Sequence, residues 1–379
     1  MEFKLNEEQL MIQKTFREFT KKEVEPIAGE VDEQHRFPTE TVEKMMRYGM
    51  MGINMPVEYG GAGSDELAYV IAVEELSKAC GTTGVILSAH TSLGCWPIHR
   101  FGTESQKKRF LEPLTSGGKL GAFGLTEPNA GTDAASQQTV AVQEGDFYRI
   151  NGTKIFITNG GEADIYIIFA MTDQSKGLKG ITAFIIERDM EGFTIGKKER
   201  KMGIRGSATT ELVFENLMVP RENMLGREGQ GFKIAMQTLD GGRIGIAAQA
   251  LGIAEGAMEK TVQYVKEREQ FNRPIGKFQG LQFMMAEMET TIQAARLMVY
   301  HAAWAKSVGK PYGKLAAMAK LYASEAAMEI TTKAVQLHGG YGYTSDYPIE
   351  RMMRDAKITE IYEGTSEVQK MVIAADILK

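Results

Sequence analysis

Cysteine and tryptophan each occur only twice in 379 residues, and histidine five times. Cys80 and Cys95 form no CxxC pair, and a chain of this length buries enough apolar surface to do without a disulfide staple. The histidines, at 35, 90, 99, 301 and 338, show neither HExxH nor any other ligand spacing, so the sequence offers no metal site. No serine sits in a GxSxG elbow, no Walker A sequence is present, and Gly61-Ala62-Gly63 lacks both a third glycine and a preceding strand. Hydrolase, nucleotide-triphosphatase and nicotinamide readings therefore lose their footing. Charge of one sign never accumulates: the net charge is −5 and lysine and arginine are dispersed, which is no footprint for nucleic acid. Long apolar runs are missing too, and Met1 leads straight into Glu2, Lys4, Asn6, Glu7 and Glu8 rather than a basic and then apolar leader. The expectation is a soluble, cytoplasmic protein with no membrane and no nucleic-acid partner.

What is present falls into three blocks. Asn6 followed by Gln9 reads as a helix start, with Ile12, Phe16 and Phe19 on one face, and a second helical stretch runs over 66–80. From about residue 120 the pattern changes to short β-branched and aromatic runs at 138–142, 147–150, 154–157, 165–171, 181–187 and 211–214. Asn151-Gly152, Asn159-Gly160 and Glu191-Gly192 read as turns between them. After Pro220 helical periodicity returns: Phe278, Leu281, Met285, Met288, Ile292, Ala295 and Val299 form one stripe, and Leu315, Ala319, Tyr322, Ala326 and Ile330 another. The 23 methionines read as adaptable core filler. The fold class expected is α+β, with an N-terminal helical domain (1–119), a central β-domain (120–222) and a C-terminal four-helix-bundle domain (223–379).

Two clusters carry chemistry. The run Gly124-Leu125-Thr126-Glu127-Pro128-Asn129-Ala130-Gly131-Thr132-Asp133 opens the β-domain with small residues and hydroxyls where backbone amides can meet phosphate or a ring edge; by itself it is also an ordinary turn. The run Gln336-Leu337-His338-Gly339-Gly340-Tyr341-Gly342-Tyr343 ends a long helix with paired glycines, which alone is a helix cap. Lys197, Lys198, Arg200, Lys201 and Arg205 can supply cations to phosphates or serve as a solvated loop.

Taken together, the two clusters, with Lys154-Ile155-Phe156-Ile157-Thr158-Asn159-Gly160, Arg268-Glu269-Gln270-Phe271 and Ile361-Tyr362-Glu363-Gly364-Thr365-Ser366 in order, resemble the acyl-CoA dehydrogenase family over essentially the whole chain, nearest its short-chain (butyryl-CoA) branch. That resemblance implies FAD, a CoA thioester, a homotetramer built as a dimer of dimers, and an electron-transferring flavoprotein as redox partner. It implies flavin contacts at Phe123, Leu125, Thr126, Gly131 and Thr132, and at Phe156, Ile157 and Thr158, with Phe156 standing where many relatives carry Trp. Arg268, Phe271, Gln279, Gln336, Gly339 and Gly340 resemble residues that reach the FAD of a neighbouring subunit, and Thr365 and Glu367 lie beside them in the motif order. Thr132, Asp240, Arg243 and Gly364 resemble substrate contacts, although Asp240 and Arg243 also read as a surface ion pair.

Glu363 decides the function. Removing the α-proton of a thioester needs a base in a dry site, where burial lifts a carboxylate toward the working pH. Gly364 permits close backbone approach, and the Glu363 amide can donate to the carbonyl oxygen as enolate character develops. In the isovaleryl branch the base comes from the position of Gly242, which cannot serve here. An acyl-CoA oxidase or a decarboxylating glutaryl-type enzyme shares the same architecture and stays open at this point.

Overall fold

The structure, a computed structural model, describes residues 4–379; Met1 and Glu2, on which the leader reading partly rests, lie outside the described residues. Helix α1 (Glu7–Phe19) starts where expected. The Asn6 side chain accepts from the Gln9 N–H at 2.8 Å while Gln9 Oε1 accepts from the Asn6 N–H at 3.0 Å, a reciprocal cap. Helices α2 (Glu66–Ser77) and α3 (Gly81–Ser88) are buried almost all round, which makes them the centre of the first domain rather than its surface. The chain then runs through a wide helical turn at Ala89–Cys95 into Trp96–Phe101.

The central domain is one eight-stranded sheet of β1 (Gly121–Gly124), β2 (Val140–Glu144), β3 (Phe147–Thr158), β4 (Ile165–Met171), β5 (Ile181–Glu187), β6 (Phe193–Lys198), β7 (Thr209–Pro220) and β8 (Met224–Leu225). The order is β6-β7-β3-β2-β4-β5-β8, with β1 parallel on β4. Strands β2 and β4 meet only at Val140 and Met171, so two antiparallel halves are hinged at one pair.

The runs at 147–150 and 154–157 belong to a single strand, a correction to the turn expected at Asn151-Gly152. Gly152 sits at φ 149° in a register shift, and a Cβ there would press into Thr139 at 2.5–2.8 Å; the glycine makes a bulge, not a hairpin. Strands β1 and β6 had no expectation, because Gly121-Ala122-Phe123-Gly124 and Phe193-Thr194-Ile195-Gly196 are too glycine-rich to read as strands.

The C-terminal domain is built from α4 (Gly231–Glu267), α5 (Gln279–Ser307), α6 (Gly313–His338), α7 (Ile349–Thr359) and α8 (Ser366–Ile377). Helix α4 packs on α2 through Gly252 and Gly256, whose missing side chains admit the backbone of Glu74 and Lys78. The α5 stripe is buried as expected at Met288, Ile292, Ala295 and Val299. The α6 stripe is buried as expected at Ala319, Ala326 and Ile330, with Leu315 packed against the core, whereas Tyr322 is exposed. The buried surface is wider than the stripe and takes in Ala316, Lys320, Ala323, Ala327, Thr331 and Ala334, where a lysine gives no hydrophobic signal.

A buried ionic cluster joins the first and third domains. Tyr300 donates to Glu74 at 2.8 Å, and Glu255 Oε2 takes Arg296 at 2.8 Å and Lys78 at 3.0 Å. Among the described residues, no helix is long and apolar enough to cross a membrane.

Candidate active site

The loop after β1 is held by a buried ion pair. Lys154 on β3 is fully enclosed and donates to Glu127 at 2.7 Å, Gln137 at 3.1 Å and the Leu125 carbonyl at 3.2 Å. Burial draws the Lys154 ammonium down to about 8; burial pushes Glu127 up, but Lys154 beside it pulls the carboxyl below its ordinary value. The Ile155 N–H donates to the Thr126 carbonyl at 2.8 Å, so loop and strand share one backbone hydrogen bond.

Just beyond, β3 breaks register with β7 between Lys154 and Ile157, and Phe156 takes φ 58°. That left-handed residue turns its ring out of the sheet, 59% exposed, beside Thr126 and ahead of Thr158. Thr132 and Gly131 are exposed on the same loop, and a Cβ on Gly131 would meet nothing within 4 Å. Ile157 and Phe123 sit differently from a ligand-facing expectation. Both are core residues, Phe123 packing edge-on against Phe169 at 5.0 Å, so each offers only backbone to the cleft.

A second patch lies at the far end of the bundle. Phe271 and Asn272, at φ 54° and 60°, form the tip of a hairpin joining Glu269–Gln270 to Arg273–Pro274, and the Phe271 ring is 86% exposed. The Arg268 guanidinium lies over the Tyr341 ring at 5.6 Å, which brings the end of α4 to the Gly339-Gly340 turn after α6. Arg268, Gln279, Gln336, Gly339 and Gly340 are exposed, and a Cβ added to either glycine would meet nothing within 4 Å. Gly340 has an ordinary φ and is exposed, with open space where a side chain would stand.

Glu363 occupies the turn between α7 and α8. It stands at φ 52° with Gly364 at φ 92°, two left-handed residues in succession. The carboxylate Oε2 is shielded from solvent with no hydrogen-bond partner among the described residues, and burial pushes the group up to about 8, against the pull of Arg243 and Lys320. It points at α4: a Cβ on Gly242 would collide with Oε2 and come within 2.9 Å of Leu93. Leu93 belongs to the Ala89–Cys95 turn, whose Gly94 packs on Gly121 of β1, so helix, turn, strand and the Glu363 carboxylate converge from all three domains.

Arg243, next to Gly242 on α4, donates to Asp240 at 2.6 Å and is only 6% exposed, with Nε unpartnered; the pair is half-buried rather than a surface bridge. Thr365 caps α8 by accepting from the Val368 N–H at 3.3 Å, and Glu367 is exposed in its first turn. The basic stretch does not converge: Lys197 pairs with Glu199, Lys198 donates to the His35 carbonyl and Lys201 to the Ser207 carbonyl.

Three groups at the site were not singled out from sequence. Gln249 donates to the Gly81 carbonyl at 2.8 Å and accepts from the Tyr362 hydroxyl. Gln369 donates to the carbonyls of Glu363 (3.2 Å) and Gly364 (2.8 Å), and Lys320 donates to the Gly364 carbonyl at 2.8 Å. Only a polar residue at a buried helical position signals any of them. A Cys95–His90 pair at 3.3 Å looks nucleophilic but is closed. His90 Nδ1 accepts from the Gly121 N–H, so Nε2 carries the proton and cannot take one from the thiol, which burial raises.

A shielded, unpartnered carboxylate set where a helical, a β and a second helical domain meet is the arrangement that comparison with known proteins specifies. Family models for the acyl-CoA dehydrogenase N-terminal, middle and C-terminal domains match residues 6–118, 122–217 and 229–378, and the chain belongs to that family. It is 65% identical over 379 residues to the short-chain specific acyl-CoA dehydrogenase of Clostridium acetobutylicum, covering 100% of both chains. The structure of butyryl-CoA dehydrogenase from Megasphaera elsdenii is similar at TM-score 0.99 and 55% identity, covering 100% of each chain. So is a chain, 59% identical at TM-score 0.99 with 100% of each covered, from work on the electron transferring flavoprotein of Acidaminococcus fermentans and flavin-based electron bifurcation.

Proposed function

We propose that this chain catalyses the FAD-dependent dehydrogenation of short acyl-CoA thioesters, butyryl-CoA above all, to trans-2-enoyl-CoA, with Glu363 as the base for the α-proton and an electron-transferring flavoprotein as the redox partner. The observation that carries the reading is the buried, unpartnered Glu363 Oε2 held over Gly242. A carboxylate in that state has no structural partner to lose, and desolvation raises its basicity toward the pH at which it must act. No hydrogen bond from the Glu363 N–H occurs among the described residues, which leaves that donor free for a thioester carbonyl as negative charge develops on its oxygen.

The residues present fit a flavin dinucleotide. The ring of Phe156 stands out of the sheet at a bulge, the Thr126 and Thr132 hydroxyls lie on the loop beside it, and Gly131 leaves room for close approach. FAD held there by Leu125, Thr126, Gly131, Thr132, Phe156 and Thr158 supplies the acceptor for the hydride that leaves the β-carbon. The set Arg268, Phe271, Gln279, Gln336, Gly339 and Gly340 is exposed in the single chain, which supports contact with the cofactor of a second subunit in a tetramer.

Short chains are favoured by what fills the space along α4 behind the base. One turn from Gly242, Gly245 is closed by Ser88 and the Tyr69 hydroxyl, and Gln249 bridges Gly81 and Tyr362. An added pair of methylenes has to displace these hydrogen-bonded groups, at about 1–3 kcal/mol per methylene. In a kcat/KM series with an artificial acceptor, butyryl-CoA is expected to exceed octanoyl-CoA; a maximum at eight carbons sinks the assignment. Anaerobic stopped-flow on Glu363→Gln tests the base. Flavin and acyl-CoA binding are retained while flavin reduction falls on the order of 10²–10⁴-fold, whereas Glu360→Gln and Glu367→Gln keep most of it.

A further inference from the structure

Lys320 is a full lysine side chain at 0% exposure on an otherwise alanine-lined face of α6. Burying an ammonium is costly unless it is paired or hydrogen-bonded, and here it has no carboxylate within salt-bridge range. Its hydrogen-bond partner outside its own helix is a single backbone oxygen, that of Gly364, at 2.8 Å. Gln369, itself fully buried, donates to the same oxygen at 2.8 Å and to the Glu363 carbonyl at 3.2 Å. Two buried donors from two helices thus converge on the only two carbonyls of the left-handed pair Glu363 and Gly364.

A left-handed glutamate is strained and persists only where surrounding groups over-determine it. We propose that Lys320 is a positioning residue for the reaction: its buried ammonium clamps the Gly364 carbonyl and so holds Glu363 left-handed, with its carboxylate directed at Gly242. Released from the clamp, the turn relaxes toward right-handed backbone, which swings the Glu363 side chain off the line to α4. The same ammonium acts on the base through its charge. The groups facing Glu363 are Arg243 from α4, Lys320 from α6, Tyr69 from α2 and the adjoining Tyr362; Lys320 itself also faces Glu360 and Glu367. Of these, only Arg243 and Lys320 are cations that favour the carboxylate, and burial draws the Lys320 ammonium itself down to about 8, so its charge acts on the acid side of that value, where the acid limb lies.

The inference rests on Glu363 being the base, so Glu363→Gln is carried alongside. Wild type, Lys320→Gln and Lys320→Met are compared as FAD-loaded enzymes in anaerobic flavin reduction by butyryl-CoA from pH 5.5 to 9.5, with the butyryl-CoA Kd read from the flavin spectrum. Gln retains a donor toward Gly364 but no charge; Met retains neither. Removing the cation makes Glu363 hold its proton to higher pH, so in both variants the acid limb moves up by about one unit. The high-pH plateau stays within about threefold for Lys320→Gln and drops at least tenfold for Lys320→Met, with Kd changed less than the rate. An acid limb unmoved in both variants, or equal plateaus for Gln and Met, overturns the proposal. If Lys320→Met does not retain FAD, the limb of Lys320→Gln decides in the same sense. Near wild-type flavin reduction by Glu363→Gln is a different failure, since it removes the base and leaves the Lys320 profiles to be explained by another group.

Discussion

The Glu363 carboxylate, shielded against Gly242 with Oε2 unpartnered, gives the reaction an expected pH dependence. Glu363 is raised to about 8, so in the ligand-free enzyme the fraction able to act as a base grows as pH rises from 6 to 9, and the rate of the first turnover is expected to rise with it. Stability moves the other way. Between the ordinary carboxylate range and 8 the folded chain binds more protons at this site than the unfolded one, so the contribution of Glu363 to stability falls as pH rises through that window. Thermal melts of the FAD-loaded protein should therefore show Glu363→Gln gaining on wild type between pH 5 and pH 8; a constant difference contradicts the assignment of burial as the cause. Gly242 is the complementary residue. Gly242→Ala puts a methyl group where Oε2 lies, and turnover should fall on the order of ten- to a hundredfold while flavin content is unchanged.

Among elements, the loop at Leu125–Thr132 and strand β3 act as one unit through Lys154 and Glu127. Removing either partner leaves a buried charge, so Lys154→Met or Glu127→Gln should cost about 3–5 kcal/mol in urea denaturation and release FAD. The double change Lys154→Met with Glu127→Met should recover much of the stability without restoring FAD retention, because the loop is then apolar but no longer registered on Phe156. This element was half legible. The glycines and hydroxyls of 124–133 and the 154–160 run are visible as a pair of motifs, but the bulges at Gly152 and Phe156 are not. An Asn-Gly pair signals a turn in local sequence, and only the presence of β2 and β7 on either side of β3 makes it a bulge inside a strand.

At the scale of the whole molecule, the C-terminal domain leaves several large apolar side chains uncovered, and a tetramer is the expected assembly. Phe271, Phe283, Leu297, Tyr343, Met371, Ile377 and Leu378 are each more than half exposed, all on the C-terminal domain. Sedimentation should give a tetramer, and dilution below its dissociation point should release FAD if Arg268, Gln279 and Gln336, exposed in the single chain, hold the cofactor of a neighbouring subunit. Arg268→Ala is expected to weaken FAD retention without lowering the melting temperature of the apoprotein. A monomer that keeps its flavin rejects this arrangement.

The sequence by itself determined the block order of helices, strands and helices, the capped start at Asn6, the buried stripe of α5 and the two motif clusters, since each rests on local spacing or on residue types that few other structures use. Tertiary structure decided the rest for physical reasons that no local window contains. Lys320 is buried because a carbonyl 44 residues away meets its ammonium, while Tyr322, apolar enough to belong to the expected stripe, is exposed. Glu363 differs from Glu360 and Glu367, its near neighbours in the chain, only through packing: two left-handed residues turn its carboxylate into a dry space against Gly242, while Glu360 pairs with Lys357 and Glu367 stays in solvent.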